Sequence, residues 1–225
     1  MNNIKIITEV KNDTEKVIIY CHGLGSKKEI INRFKDKLLE NNIGVVAFDF
    51  PGHGEDKTNF SKFNLDLCIS YLEEVIEKYK DKQIYLLGSS YGGFVILNKL
   101  IRSNKYINNT ILLSPAVNFL SIVNRKLNID INYFNNHEYI DLYNNIRIYK
   151  DAYIDYKENE DKVYNYKFTN INIIHGTLDK TVLLKDIEYF SKKNNLNLKI
   201  VKNAKHELIG YEDEIIDFII DNIGE

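Results

Sequence analysis

Three side chains far apart in the chain, Ser90, Asp179 and His206, have the types and the neighbours that acyl transfer requires. A serine hydroxyl is a poor nucleophile near neutral pH. A neutral imidazole must take its proton, and a carboxylate must hold that imidazole in the right tautomer. Ser90 lies in Gly88-Ser89-Ser90-Tyr91-Gly92-Gly93, after the apolar run Gln83 to Leu87 and before the helix-forming run Phe94 to Leu100. A Gly-x-Ser-x-Gly turn between strand and helix lifts the hydroxyl above the sheet edge, at a helix N-terminus where negative charge is favoured. Gly88 and Gly92 lack the Cβ atoms that would clash in so sharp a turn. Alone, the pentapeptide is weak evidence, because Gly- and Ser-containing turns are common.

Its company strengthens it. Asp179 stands in His175-Gly176-Thr177-Leu178-Asp179, directly after an apolar strand. His206 follows the last strand, in Asn203-Ala204-Lys205-His206-Glu207. All three residues would emerge at the carboxyl edge of a parallel sheet, where such folds place their sites. The plainer readings are that Asp179 is a turn or N-cap residue for the helix starting near Val182 and that His206 is a solvated loop histidine. A tetrahedral intermediate also needs two preorganised N–H donors, and losing one donor typically costs about 100- to 1000-fold in rate. The amide of Tyr91, next after the serine, is one candidate. The amide of Leu24, in the loop His22-Gly23-Leu24-Gly25-Ser26, is the other; the plainer reading of that loop is a tight turn that begins a helix. His22, His53 and His175 each precede a glycine after a strand and read as residues that fix loops. His137 reads as exposed, and the five histidines are too scattered for a metal site.

The elements that must position these residues alternate between strand and helix, which predicts an α/β fold with a mostly parallel sheet of about seven strands. Strands are expected at Ile4 to Val10, Lys16 to Cys21, Val45 to Phe50, Ile84 to Gly88, Thr110 to Leu113, Ile171 to His175 and Leu198 to Val201. Helices are expected at Lys27 to Asn41, Asn64 to Tyr79, Val182 to Asn194 and Glu212 to Asn222, each with apolar residues at helical spacing. From Val117 to Lys167 the alternation stops. That stretch is rich in Tyr, Asn and charge, with aromatics at Phe119, Tyr133, Phe134, Tyr139, Tyr143, Tyr149, Tyr153 and Tyr156. Fifty residues are too many for a plain crossover. They read as a small, mostly helical cap, 117–167, inserted into a core formed by 1–116 and 168–225; an ordinary pair of covering helices is the alternative.

The bulk numbers bound the rest. A chain of 225 residues suffices for one α/β domain. Its formal net charge of −2 argues against nucleic acid as a partner. No window approaches the ~18 apolar residues of a membrane span. The start of the chain lacks the apolar core of a signal peptide, so a cytoplasmic location without stable membrane anchoring is the expectation. Cys21 and Cys68 read as buried, reduced, small apolar residues. No cofactor and no metal are expected.

Five motifs in order, His22-Gly23-Leu24-Gly25, Asp49-Phe50-Pro51-Gly52-His53-Gly54, Gly88-Ser89-Ser90-Tyr91-Gly92-Gly93, His175-Gly176-Thr177-Leu178-Asp179 and Lys205-His206, resemble the α/β-hydrolase superfamily. Within it the chain resembles the small serine esterases of the cinnamoyl/feruloyl-esterase and monoacylglycerol-lipase-like group. The resemblance runs the length of the chain, with the insertion as the variable part. Two departures stand out: room for only one or two strands before the Leu24 loop, and a short cap rich in Asn and Tyr. The resemblance implies Ser90, Asp179 and His206 as a triad, with the Leu24 and Tyr91 amides as oxyanion hole. It implies hydrolysis of a small-molecule carboxylic ester through an acyl-enzyme, of cinnamoyl/feruloyl type or with a short acyl group. Thioesterase, lysophospholipase, acyltransferase and peptidase activities would use the same machinery. A binding protein that keeps the fold without catalysis is a reading of another class.

Overall fold

Along β2 (Lys16–Cys21) every residue after Lys16 is buried, as is every residue of β3 (Ile43–Phe48). A strand covered on both faces reads as a continuous apolar run, and this is the pattern of a parallel sheet with helices on each side. The structure, a computed structural model, describes residues 4–11, 13–59, 64–142 and 146–223. Tyr143 lies outside the described residues. The main sheet also contains β1 (Ile6–Glu9), β4 (Gln83–Ser89), β5 (Ile107–Leu113), β8 (Ile171–Gly176) and β9 (Asn197–Val201). Its order is β1-β3-β2-β4-β5-β8-β9, with β1 antiparallel to β3 and the other pairs parallel. From β2 the chain goes outward to β3, then returns to the other side of β2 as β4. The loops after β2 and β4 therefore leave from adjacent strands at a reversal of strand order, where α/β sheets open a crevice.

Two apolar layers sandwich the sheet. On one face Val17, Ile19 and Cys21 pack with α2 (Leu65–Lys78) and α3 (Tyr91–Arg102). On the other, Ile18 and Tyr20 pack with α1 (Lys35–Glu40) and α7 (Glu212–Ile223). The Asn64 side chain caps α2, accepting from the Leu67 N–H at 2.9 Å. Among the described residues no helix is long and apolar enough to cross a membrane.

The structure corrects two expectations. The helix expected at Lys27 to Asn41 is a 3₁₀ helix, Lys28–Arg33, followed by the six-residue α1. Its two ends are tethered across the molecule. The Lys28 N–H donates to Asp49 Oδ1 at 2.9 Å, and the Arg33 guanidinium binds the Glu207 and Leu208 carbonyls and Glu212. Tight winding between these anchors still turns Ile31 and Phe34, three apart, inward. Secondly, β3 stops at Phe48, before the expected Phe50. Asp49 turns away to bind Lys28, and the Phe50 N–H donates to His22 Nε2 at 3.0 Å. The stretch 117–167 is mostly helical, as expected, though not throughout. It holds α4 (Phe119–Leu127), a 3₁₀ turn (Ile131–Asn135), an antiparallel hairpin of β6 (Tyr139–Asp141) and β7 (Arg147–Tyr149), and α5 (Lys150–Asn165). The buried Ile140 and Ile148 face each other across the hairpin, with Tyr139 against Tyr149 beside them. Its aromatics are mixed in fate: Tyr156 is fully buried against Tyr91, Phe94 and Phe119, so α5 joins the core beneath Ser90's helix.

Lys28 and Asp49 form a buried ion pair at 2.7 Å, and Glu55 adds a second carboxylate to the ammonium. Burial opposes the Lys28 charge, but these carboxylates more than offset it and raise its pKa. Removing one member of a buried pair strands the other, at about 3–5 kcal/mol. Lys28→Met is therefore expected to lower the unfolding free energy by roughly 3 kcal/mol, read as a lower urea midpoint. An unchanged midpoint would show that the pair is not what holds the 49–56 loop.

Candidate active site

Ser90 is the residue where β4 becomes α3, and its backbone sits at φ 50°, ψ −114°. A non-glycine residue in such a conformation carries on the order of 1–3 kcal/mol of strain and needs its surroundings to hold it. Here the Ser90 N–H donates to the Leu113 carbonyl, and the Ser90 carbonyl accepts from Gly93 and Ala116, each at 3.0 Å. Gly92 is required by close approach. A Cβ there would lie 2.1 Å from the Cys21 carbonyl oxygen and 2.7 Å from that of His22. A Cβ on Gly88 would lie 2.6 Å from Ile96 Cδ1. The Gly92 contacts hold α3 against the end of β2 and its loop, and the Gly88 contact seats α3 on β4.

His206 Nε2 lies 2.9 Å from Ser90 Oγ, and His206 Nδ1 lies 2.7 Å from Asp179 Oδ2. Asp179 is fully buried at its side chain, and its second oxygen accepts from the Thr181 and Val182 N–H groups at 2.8 and 2.9 Å. Burial works against the Asp179 charge, yet the His206 ring and the Val182 N–H prevail and hold the carboxyl below the usual range. An ionised Asp179 places the imidazole proton on Nδ1, leaving Nε2 to accept from the serine hydroxyl. The Asp179 and His206 loops are joined by two hydrogen bonds: Leu178 N–H donates to the Ala204 carbonyl at 2.8 Å, and Asn203 N–H to the Thr177 hydroxyl at 2.8 Å. Asp179 does close a turn, as the plainer reading had it, but with the oxygen that His206 does not use. Since α6 (Leu184–Asn194) starts two residues beyond Val182, this turn precedes the helix instead of capping it.

The other histidines bind backbone. His175 is fully buried, with Nε2 3.2 Å from the Val182 carbonyl and 3.6 Å from Asp179 Oδ2. His53 Nδ1 is 3.0 Å from the Pro51 carbonyl. His137 is exposed and stacks on Tyr133 at 3.9 Å. His22 Nδ1–H donates to the Gly23 carbonyl at 2.8 Å while Nε2 accepts from Phe50, so the ring pins the Leu24 loop to the 49–56 loop. Leu24 is the second residue of a turn closed by Ser26 N–H to the Gly23 carbonyl, with Gly25 at φ 71° in third place. Tyr91 supplies the first backbone N–H of α3. Its side chain is buried, 2.7 Å from Tyr156 Oη.

Burial, with His53 nearby, pushes His22 down to about 3. An unfolded histidine titrates near 6.5. Between those values the unfolded chain holds a proton that the native ring refuses, so stability rises with pH across this window. The slope for one such group reaches about 1.4 kcal/mol per pH unit. Urea midpoints are expected to climb from about pH 4 to about pH 6.5, and to climb less steeply in His22→Gln. Equal slopes in the two proteins would count against a buried neutral His22.

Two cavities meet at Ser90. One, of about 270 Å³, is walled by Ala116, Phe119, Ile122 and Val123. The other, of about 460 Å³, lies on the His206 side and is bordered by Tyr20, Ile30, Arg33, Glu207 and Ile209. Leu24, Lys126 and Thr181 line both. A larger hollow of about 600 Å³, near Glu15 and Lys80, lies at the opposite edge of the sheet, away from these side chains. Sequence reasoning missed Lys126 and Thr181. The available signals were the Asp-x-Thr spacing after Asp179 and the basic pair Arg125-Lys126 ending an amphipathic helix.

Comparison with known proteins agrees with this architecture. Residues 12–165, more than half of the chain, match the Hydrolase_4 family, described as serine aminopeptidase, S33. The chain is 33% identical over 84 residues to protein phosphatase methylesterase 1 of Candida albicans, covering 35% of this chain and 23% of that protein. It is 27% identical over 111 residues to monoglyceride lipase of Mus musculus, covering 46% and 36%. These alignments span less than half the length of the curated relatives. Among solved structures, ferulic acid-bound Est1E from Butyrivibrio proteoclasticus superposes with a TM-score of 0.83 at 20% identity, over 99% of this chain and 96% of that one. With the seven-stranded sheet, the strained serine at the end of β4 and the matched family model, the chain belongs to the serine aminopeptidase S33 family of α/β-hydrolases.

Proposed function

We propose that this protein is a serine carboxylic ester hydrolase with Ser90 as nucleophile, His206 as general base and acid, and Asp179 as the carboxylate that orients His206. The observation that carries this reading is the unbroken chain Ser90 Oγ, His206 Nε2, His206 Nδ1, Asp179 Oδ2, at 2.9 and 2.7 Å. His206 takes the Ser90 proton as Oγ attacks the ester carbonyl. The tetrahedral oxyanion rests on the Leu24 and Tyr91 N–H groups, reinforced by the N-terminus of α3. His206 then gives its proton to the leaving alcohol. Water, deprotonated by the same imidazole, attacks the acyl-enzyme, and the imidazolium returns that proton to Ser90 Oγ as the acid leaves. Only protein groups and water take part.

The two cavities divide the substrate. His206 must reach the leaving oxygen, and it lines the second cavity, so the alcohol belongs there. The acyl group then occupies the apolar first cavity, beneath the 117–167 segment acting as a cap. A short acyl or a hydroxycinnamoyl group suits those walls, and Est1E with bound ferulic acid supports the second. The family description favours a peptidase reading instead. An aminopeptidase must hold a terminal ammonium; the cavities offer Asp141 and Glu207 for it beside the cations Lys126 and Arg33, so the amide arm of the test decides that reading. The test is a panel of matched 4-nitrophenyl and hydroxycinnamoyl esters, thioesters and amides. Esters are expected to exceed both other classes by at least about tenfold in kcat/KM, or 1.4 kcal/mol in barrier. Faster turnover of amides or thioesters would overturn the ester assignment.

A further inference from the structure

Three segments frame Ser90 on its cap and His206 sides: 124–127, 177–182 and 202–209. They are tied together by the Arg125 guanidinium on the Thr181 carbonyl at 2.7 Å, by Lys126 Nζ on Thr181 Oγ1 at 3.3 Å, and by the backbone bonds between the Asp179 and His206 loops. They carry five exposed cations, Arg125, Lys126, Lys180, Lys202 and Lys205, against two carboxylates, on a chain whose formal net charge is −2. One carboxylate, Asp179, is buried and engaged by His206. The other is Glu207, on the rim. Among the described residues no carboxylate pairs with any of the five cations. Nearby charges are already matched: Arg33 with Glu212 at 2.7 Å, and Arg147 with Asp141 at 3.2 Å. Lys126 stands at the wall shared by both cavities. A concentration of one charge sign around a cleft with apolar walls raises the local concentration of the opposite ion.

We propose that the alcohol half of the substrate carries an anionic group, a carboxylate or phosphate, drawn in by these cations and held by Lys126. The inference rests on the ester hydrolase reading and adds the charge of the leaving group. Of the five cations Lys126 alone lines the cavities, at the wall both share; with Arg33 it gives the second cavity two cations against the one carboxylate of Glu207, whereas in the acyl cavity it stands with Asp141 among Phe119, Ile122 and Val123.

The test compares two hexanoyl esters, 3-hexanoyloxy-4-nitrobenzoate and its neutral 3-hexanoyloxy-4-nitrobenzamide. The wild-type ratio of kcat/KM, anion over amide, is expected to be about tenfold or more at low salt. It should shrink as salt shortens the screening length to about 3 Å near 1 M. Lys126→Gln should cut the ratio several-fold, Lys126→Glu should bring it below one, and Glu207→Gln should raise it. Benzoate or phenyl phosphate should compete, with the tighter of the two naming the group, and benzamide should not. A wild-type ratio near one overturns the proposal, as does a ratio that Lys126→Glu leaves unchanged, or equal competition by all three compounds. Hydrolysis of the neutral benzamide ester and its loss in Ser90→Ala test the reaction itself, so the two readings fail separately.

Discussion

Ser90→Ala is expected to lower ester turnover by about 10⁴- to 10⁶-fold while leaving the fold intact. Without Oγ no acyl-enzyme forms, and only the residual catalysis of oxyanion donors and substrate binding remains. The fold should survive because the strained backbone is held by bonds from the Leu113, Gly93 and Ala116 main chain, none of which involves the side chain. Alanine meets the same φ and ψ with the same Cβ. Steady-state rates and a thermal midpoint for the same preparation check both halves. Near wild-type turnover would remove Ser90 from the reaction.

Asp179→Asn is expected to cost roughly 10⁴-fold in kcat, through the imidazole tautomer. Asp179 Oδ1 accepts from the Thr181 and Val182 N–H groups, so an asparagine must keep its carbonyl oxygen on that side. Its NH₂ then faces His206 Nδ1, where a carboxylate oxygen now lies at 2.7 Å. A donor there forces the ring proton onto Nε2, and the ring can no longer accept from Ser90. KM should change far less than kcat, since neither cavity is lined by Asp179. A loss under tenfold would mean that the carboxylate does not govern the His206 proton.

Much of this was legible in the sequence because each signal was local. The apolar runs of Lys16 to Cys21 and Ile171 to His175 identify buried parallel strands wherever they occur, and both are β-strands of the main sheet. The glycines around Ser90 announce a close approach, and the Cβ positions at Gly88 and Gly92 would indeed collide with neighbours. What escaped was set by partners distant in the chain. Nothing near Lys28 tells that its ammonium will lie against Asp49, or that Arg33 will be tied to Glu212, and those bonds set the winding of 28–40. The hairpin at 139–149 has three-residue strands, too short for an alternating pattern to stand out. Thr181 and Lys126 gain their place only when α4 folds over the loop after β8. Tyr156 reads as one aromatic among many until α5 sets it beside Tyr91.

The most direct test of the proposed triad is to treat the folded protein with a fluorophosphonate and locate the adduct by peptide mass. One phosphonyl group is expected on Ser90, absent in Ser90→Ala and formed far more slowly in Asp179→Asn. A folded wild-type chain that stays unlabelled, or one whose label survives in Ser90→Ala, would contradict an activated serine at the end of β4.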